Sequence, residues 1–170
     1  MDALKAIGFW GPPNPALLAG STAEQLPKPV LEQLRLHWKA NVDALLAGRP
    51  AFPDPGTLVE RLGSKRYDER VHFYVSTAHR IRPQCGFAIC RCCGISSPEM
   101  GSAELSDGEW VWPEGLVHYL RIHQVPLPDS FLKSIETNES IVPEPSIMLW
   151  APYDFGEWRA WTAAVLGPKG

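Results

Sequence analysis

The chain has 170 residues, is 45% hydrophobic and 21% charged, and carries a formal net charge of −3. That length can bury a core without disulfide staples or an obligatory metal. The composition excludes a disordered chain, and the slight negative charge gives no long-range attraction to nucleic acid or to an anionic membrane. The opening "MDALKAIGFWGPPNPALLAG" lacks a basic region followed by an unbroken apolar run, and no stretch approaches the roughly 18 apolar residues of a membrane span. The expectation is a soluble, cytoplasmic protein without a membrane partner. Seventeen prolines and 14 glycines predict many turns and short elements.

In chain order, "PVLEQLRLHWKANVDALLAG" places Leu31, Leu34, Trp38, Val42 and Leu45 at helical spacing, with Pro29 in the first turn and Gly48 beyond the end. A short helix is expected in "GTLVERLG". In "RVHFYVSTAHRIR", Val71, Phe73, Val75 and Thr77 alternate, which predicts a strand with one buried face. "GFAIC" reads as another short strand. "SAEL" and "EWVW" flank Ser106-Asp107-Gly108, a hairpin signal that sets Trp110 and Trp112 on one side. Pro113 and Glu114 suit the start of a helix in "PEGLVHYLRIHQ", which Pro126 ends. "DSFLKSIE" is expected to be a helix capped by Asp129, "SIMLWA" a strand, and "DFGEWRAWTAAVLG" a helix. Together these predict one α+β domain over residues 1–170. An N-terminal helical segment, 1–50, packs on a small, mostly antiparallel sheet, and a knuckle, hairpin and helix unit occupies 85–128.

Three of the four cysteines fall in "CRCCG", residues 90–94. Adjacent thiols with no export signal are better read as reduced than as disulfides. Cys90 and Cys93 have C-x2-C spacing, and Gly94 allows the tight turn that points amides at sulfur. His118 and His123 follow 24 residues later with H-x4-H spacing. Thiolate and imidazole are the ligands zinc prefers in closed tetrahedral sites, so Cys90, Cys93, His118 and His123 form a complete candidate set for a structural Zn2+. Cys92 lies between ligands and is not one; Cys85 and His79 are reserves. The interval is longer than the roughly 12–15 residues of an ordinary finger. Residues five apart on an ideal helix also diverge by about 140°. The histidines therefore converge only if the last turn widens or the helix stops before His123.

The run "DGEWVWPEGLVHYLRIHQVPLP", preceded by "CRCCG", resembles the signature of a group of small, mostly uncharacterised bacterial proteins with a C-x-x-C-G knuckle and a W-P-E-G-L-x-H-Y-x-x-x-H helix. The resemblance covers about Cys90 to Pro128. It implies that the two cysteines and two histidines belong together, and it implies no reaction.

Between Cys85 and His123 the basic residues Arg91 and Arg121 face five acids, Glu99, Glu104, Asp107, Glu109 and Glu114. Such a surface repels phosphates, which disfavours an atypical nucleic-acid-binding finger. A catalytic zinc keeps a position open for water, whereas four protein ligands close the site. A metal- or thiol-dependent enzyme using Cys90, Cys93 and His118 is the alternative, although no orienting third group and no catalytic motif stands out. By elimination the preferred function is a non-catalytic zinc-binding module that contacts another protein. The aromatics Trp150, Tyr153, Phe155, Trp158 and Trp161 are expected mainly in the core. Exposure of Trp158 or Trp161 beside acids would mark a protein-binding surface instead.

Overall fold

The turn between two short strands organises the molecule. Asp107 is 3% exposed, and its Oδ1 accepts hydrogen bonds from the amides of Glu109 (2.9 Å) and Trp110 (2.7 Å). Gly108 takes the left-handed φ of +96° that the turn requires. The expected hairpin results, β3 (Ala103–Ser106) and β4 (Trp110–Pro113), with Leu105 opposite Trp112 and Ser106 opposite Val111. The computed structural model describes residues 2–17, 27–138 and 150–168.

Among the described residues, one five-stranded mixed sheet stands around the hairpin. β2 (His79–Pro83) pairs antiparallel with β3, and β1 (Leu4–Ala6) lies parallel to both β4 and β5 (Tyr153–Asp154), giving the order β2-β3-β4-β1-β5. Six α-helices accompany it among the described residues: α1 (Lys28–Leu46), α2 (Pro55–Leu62), α3 (Glu69–Thr77), α4 (Leu116–Ile122), α5 (Asp129–Thr137) and α6 (Gly156–Leu166). The architecture is α+β, as expected.

Strand alternation separates two apolar clusters. Trp110 and Trp112 enter the larger one, where each ring packs edge-on against Phe131 at 5.3 Å, while Val111 between them joins Leu4, Ala6, Ile81 and Ala151 in the smaller. The Trp112 indole donates to the Val75 carbonyl (2.9 Å), so its polar edge is satisfied inside the core. Trp158 is buried and Trp161 stacks on it at 5.4 Å, so neither marks an exposed surface. Trp150 is the exception among the C-terminal aromatics, at 84% exposed.

Several expectations are corrected. Residues 69–77 form helix α3 rather than a strand, and β2 begins only at His79. Asp68 caps α3 by accepting from the amides of Arg70 and Val71. Val71, Tyr74, Val75 and Ala78 then supply the i, i+3, i+4, i+7 stripe that packs into the larger cluster, leaving Phe73 60% exposed. "GFAIC" forms no strand; its Ala88 amide bonds to the Gly101 carbonyl while the chain curves into the cysteine knuckle. Pro113 ends β4 instead of starting α4, because the Glu114 amide still bonds the Ala103 carbonyl across the hairpin. Pro128, not Asp129, takes the cap position of α5, and Asp129 is its first residue. The N-terminal part contributes strand β1 to the sheet as well as helix. In "SIMLWA", residues 146–149 lie outside the described residues.

Candidate metal centre

The knuckle begins where the chain leaves Ile89. The Cys90 amide bonds the Ile95 carbonyl (2.8 Å) and the Gly94 amide bonds the Cys90 carbonyl (3.0 Å), closing a turn over residues 91–93. Gly94 adopts φ +72°, where a side chain would be strained. The Cys92 amide points at the Cys90 sulfur at 3.4 Å. Backbone geometry therefore presents both sulfurs before any metal is considered.

Helix α4 brings the imidazoles. It ends at Ile122, and His123 is its C-cap, with φ −103° and ψ −7°. Gln124 then turns through φ +53°, and the Val125 amide reaches back to the Tyr119 carbonyl at 3.2 Å. Stopping the helix before His123 removes the angular divergence of an ideal helix, and the Nε2 atoms of His118 and His123 lie 3.2 Å apart.

Cys90, Cys93, His118 and His123 form one group whose ligand atoms all lie within 4.8 Å of one another. Bond lengths of about 2.3 Å to sulfur and 2.05 Å to nitrogen imply tetrahedral edges of about 3.6 Å for S···N and 3.3 Å for N···N. Cys90 Sγ is 3.3 Å from His123 Nε2, Cys93 Sγ is 3.5 Å from His118 Nε2, and the two nitrogens are 3.2 Å apart. The group has the dimensions of a metal cage and could hold a metal ion.

Its electrostatics favour a deprotonated ligand on the buried side. Cys90, 0% exposed, has its thiol pulled well below the usual range, chiefly by the side-chain hydrogen bond with Cys92, with burial opposing and the amides of Cys93 and Cys92 assisting. The same bond, followed by burial, pushes Cys92 up. Burial is the main influence raising Cys93, the exposed member of the group. On the far side of the His118 ring, Glu99 Oε2 stands 3.9 Å from Nδ1, the side from which a carboxylate orients a metal-binding imidazole. Gly115 permits this approach: a Cβ there would lie 2.6 Å from the Met100 carbonyl oxygen, so only glycine lets the Pro98–Met100 turn rest against the start of α4.

The knuckle also ties to the N-terminal segment. Tyr119 accepts from the Arg91 amide through its hydroxyl (2.8 Å), the Arg91 guanidinium donates to the Gly11 carbonyl (3.1 Å), and Trp10 packs on the Tyr119 ring at 5.0 Å. The four expected ligands are thus brought together. Cys92 sits beside them outside the group, and neither Cys85 nor His79, both exposed, joins it. Glu99, Arg91 and Tyr119 were not expected at the site. Glu99 and Arg91 carry no spacing signal, whereas Tyr119, adjacent to a ligand on a short helix, could have been flagged.

Comparison with protein-family models, with curated proteins and with solved structures found no match. Fold and site define an α+β protein with a two-cysteine, two-histidine group able to hold a metal ion. Among the described residues, no helix is long and apolar enough to cross a membrane.

Proposed function

We propose that the ion is a structural Zn2+ and that the protein is a non-catalytic, cytoplasmic module acting through contact with another protein. The observation that carries this reading is the four-ligand group itself, which supplies two soft and two borderline donors within 4.8 Å of one another and needs no water to complete it. Its likeness over Cys90–Pro128 to the small bacterial proteins with the same knuckle and helix belongs to this proposal.

Exposed apolar side chains support the interaction part. Ile95 on the knuckle, Ile122 on α4 and Phe87 ahead of the knuckle are 37%, 62% and 48% exposed, in addition to Trp150. Val117 and Ile122 line a concavity of about 280 Å³ together with Glu99, His118 and Arg121. Phosphate recognition has little to work with nearby: Arg121 is paired with Glu69 at 3.0 Å, and the Arg91 guanidinium is directed at main-chain carbonyls.

Zinc-edge X-ray absorption on protein purified without added metal tests the reading. Two sulfur and two nitrogen neighbours are expected. An oxygen neighbour replacing one protein ligand would contradict a closed site and favour the metal-dependent enzyme.

A further inference from the structure

We propose that the site is a peroxide-sensitive switch, in which oxidation joins Cys90 to Cys93 and expels the metal. The inference rests on the structural-zinc reading and adds regulation to it. Three features of the knuckle point this way. Cys93 is exposed, so an oxidant in solution reaches its sulfur, while Cys90 is fully buried beneath it. The Cys90 and Cys93 sulfurs lie within 4.8 Å of each other, and the Gly94 amide to Cys90 carbonyl bond closes the turn that keeps them together. Joining them at the roughly 2.05 Å of a disulfide needs side-chain movement within one turn. Only thiolate sulfur is a strong zinc ligand, so the product leaves two histidines, too few for a structural site.

The step balances with hydrogen peroxide as oxidant. The Cys93 thiolate attacks a peroxide oxygen, the O–O bond breaks and hydroxide leaves, giving a sulfenic acid. The Cys90 thiolate then attacks that sulfur, forming the S–S bond as the S–O bond breaks and a second hydroxide leaves. Two protons convert the hydroxides to water. The two thiolates lose two electrons, which the peroxide gains. Cys92 is the competitor, since it lies in the same turn with its amide 3.4 Å from the Cys90 sulfur.

The test is peroxide titration of the zinc-loaded full chain, with released zinc read by a chromophoric chelator. Disulfides are mapped after cleavage at Arg91, which separates Cys90 from Cys92 and Cys93. The expected result is about one zinc released per peroxide consumed. The peptide holding Cys85 and Cys90 should be cross-linked to the following peptide in wild type, Cys92→Ser and Cys85→Ser alike, and a dithiol reductant should restore zinc binding. Zinc retained while Cys85 or Cys92 oxidises, or a cross-link that disappears in Cys92→Ser or Cys85→Ser, would overturn the switch and leave the zinc reading standing. A starting protein without zinc would overturn both.

Discussion

The β3–β4 hairpin and the cysteine knuckle are neighbours in sequence but are held by different forces. The hairpin contributes Leu105, Trp110, Val111 and Trp112 to the core, with the buried Asp107 bonded to two amides and to the Tyr74 hydroxyl. The knuckle, residues 90–95, has no regular structure beyond a turn, and Cys90 is its one fully buried apolar side chain. Apolar packing fixes the first without outside help. The second has little buried apolar surface to offset its backbone ordering, and on the proposed reading its ligands supply the difference. A metal can thus stabilise one loop of a domain whose core does not depend on it.

The largest effect should come from His118→Ala. Apparent binding free energies for structural zinc run to about 10–16 kcal/mol, and losing one of four ligands should abolish stoichiometric binding. Hydrogen exchange should then quicken at the Cys90 and Gly94 amides, which bond within the knuckle, while the Glu114 amide on the hairpin keeps its protection. Equal loss in both regions would break the distinction between them. Trp112→Ala should do the converse and cost about 3–5 kcal/mol in urea unfolding, because it empties a fully buried site between Tyr74 and Phe131. Zinc per folded chain should be unchanged.

Tyr74→Phe sharpens the same contrast at about 1–3 kcal/mol. It removes the 2.7 Å bond donated to buried Asp107 and the acceptor used by the Asn138 side chain at 3.0 Å. Glu99→Gln should be milder, about a tenfold loss of zinc affinity in a competition titration with no change in urea stability, because Glu99 acts through His118 rather than through the core. Alkaline pH gives a gradual effect. Burial raises Tyr67 to about 12 in the folded chain, against about 10 when unfolded. The folded state binds that proton more tightly, so its contribution is complete below about pH 10 and is lost as pH rises toward 12. Unfolding titrations of wild type and Tyr67→Phe should diverge in that window.

The hairpin, α4 and the ligand group were legible because each has a strong local signal: Asp-Gly between apolar strands, a short apolar helix, and thiol and imidazole pairs at metal spacing. Segment 69–77 was misread because its β-branched and aromatic residues satisfy two periods at once; Val71 and Val75 fit alternation and also the helical stripe with Tyr74 and Ala78. The deciding signal was Asp68, whose capping role shows in the structure through two amide bonds. β1 and β5 are three and two residues long, too short for any pattern, and their parallel pairing joins opposite ends of the chain. Convergence of the histidines depends on where α4 stops: Pro126 signals an end close by, but the positive φ of Gln124, just past the stop at Ile122, is not announced by its residue type.

Metal content per chain, by elemental mass spectrometry on protein purified without added metal, tests the central claim most directly when wild type, Cys93→Ser and Cys85→Ser are compared. About one zinc per chain in wild type and Cys85→Ser, and none in Cys93→Ser, is the predicted result. Equal metal in all three, or none in any, would contradict the assignment of Cys90, Cys93, His118 and His123 as its ligands.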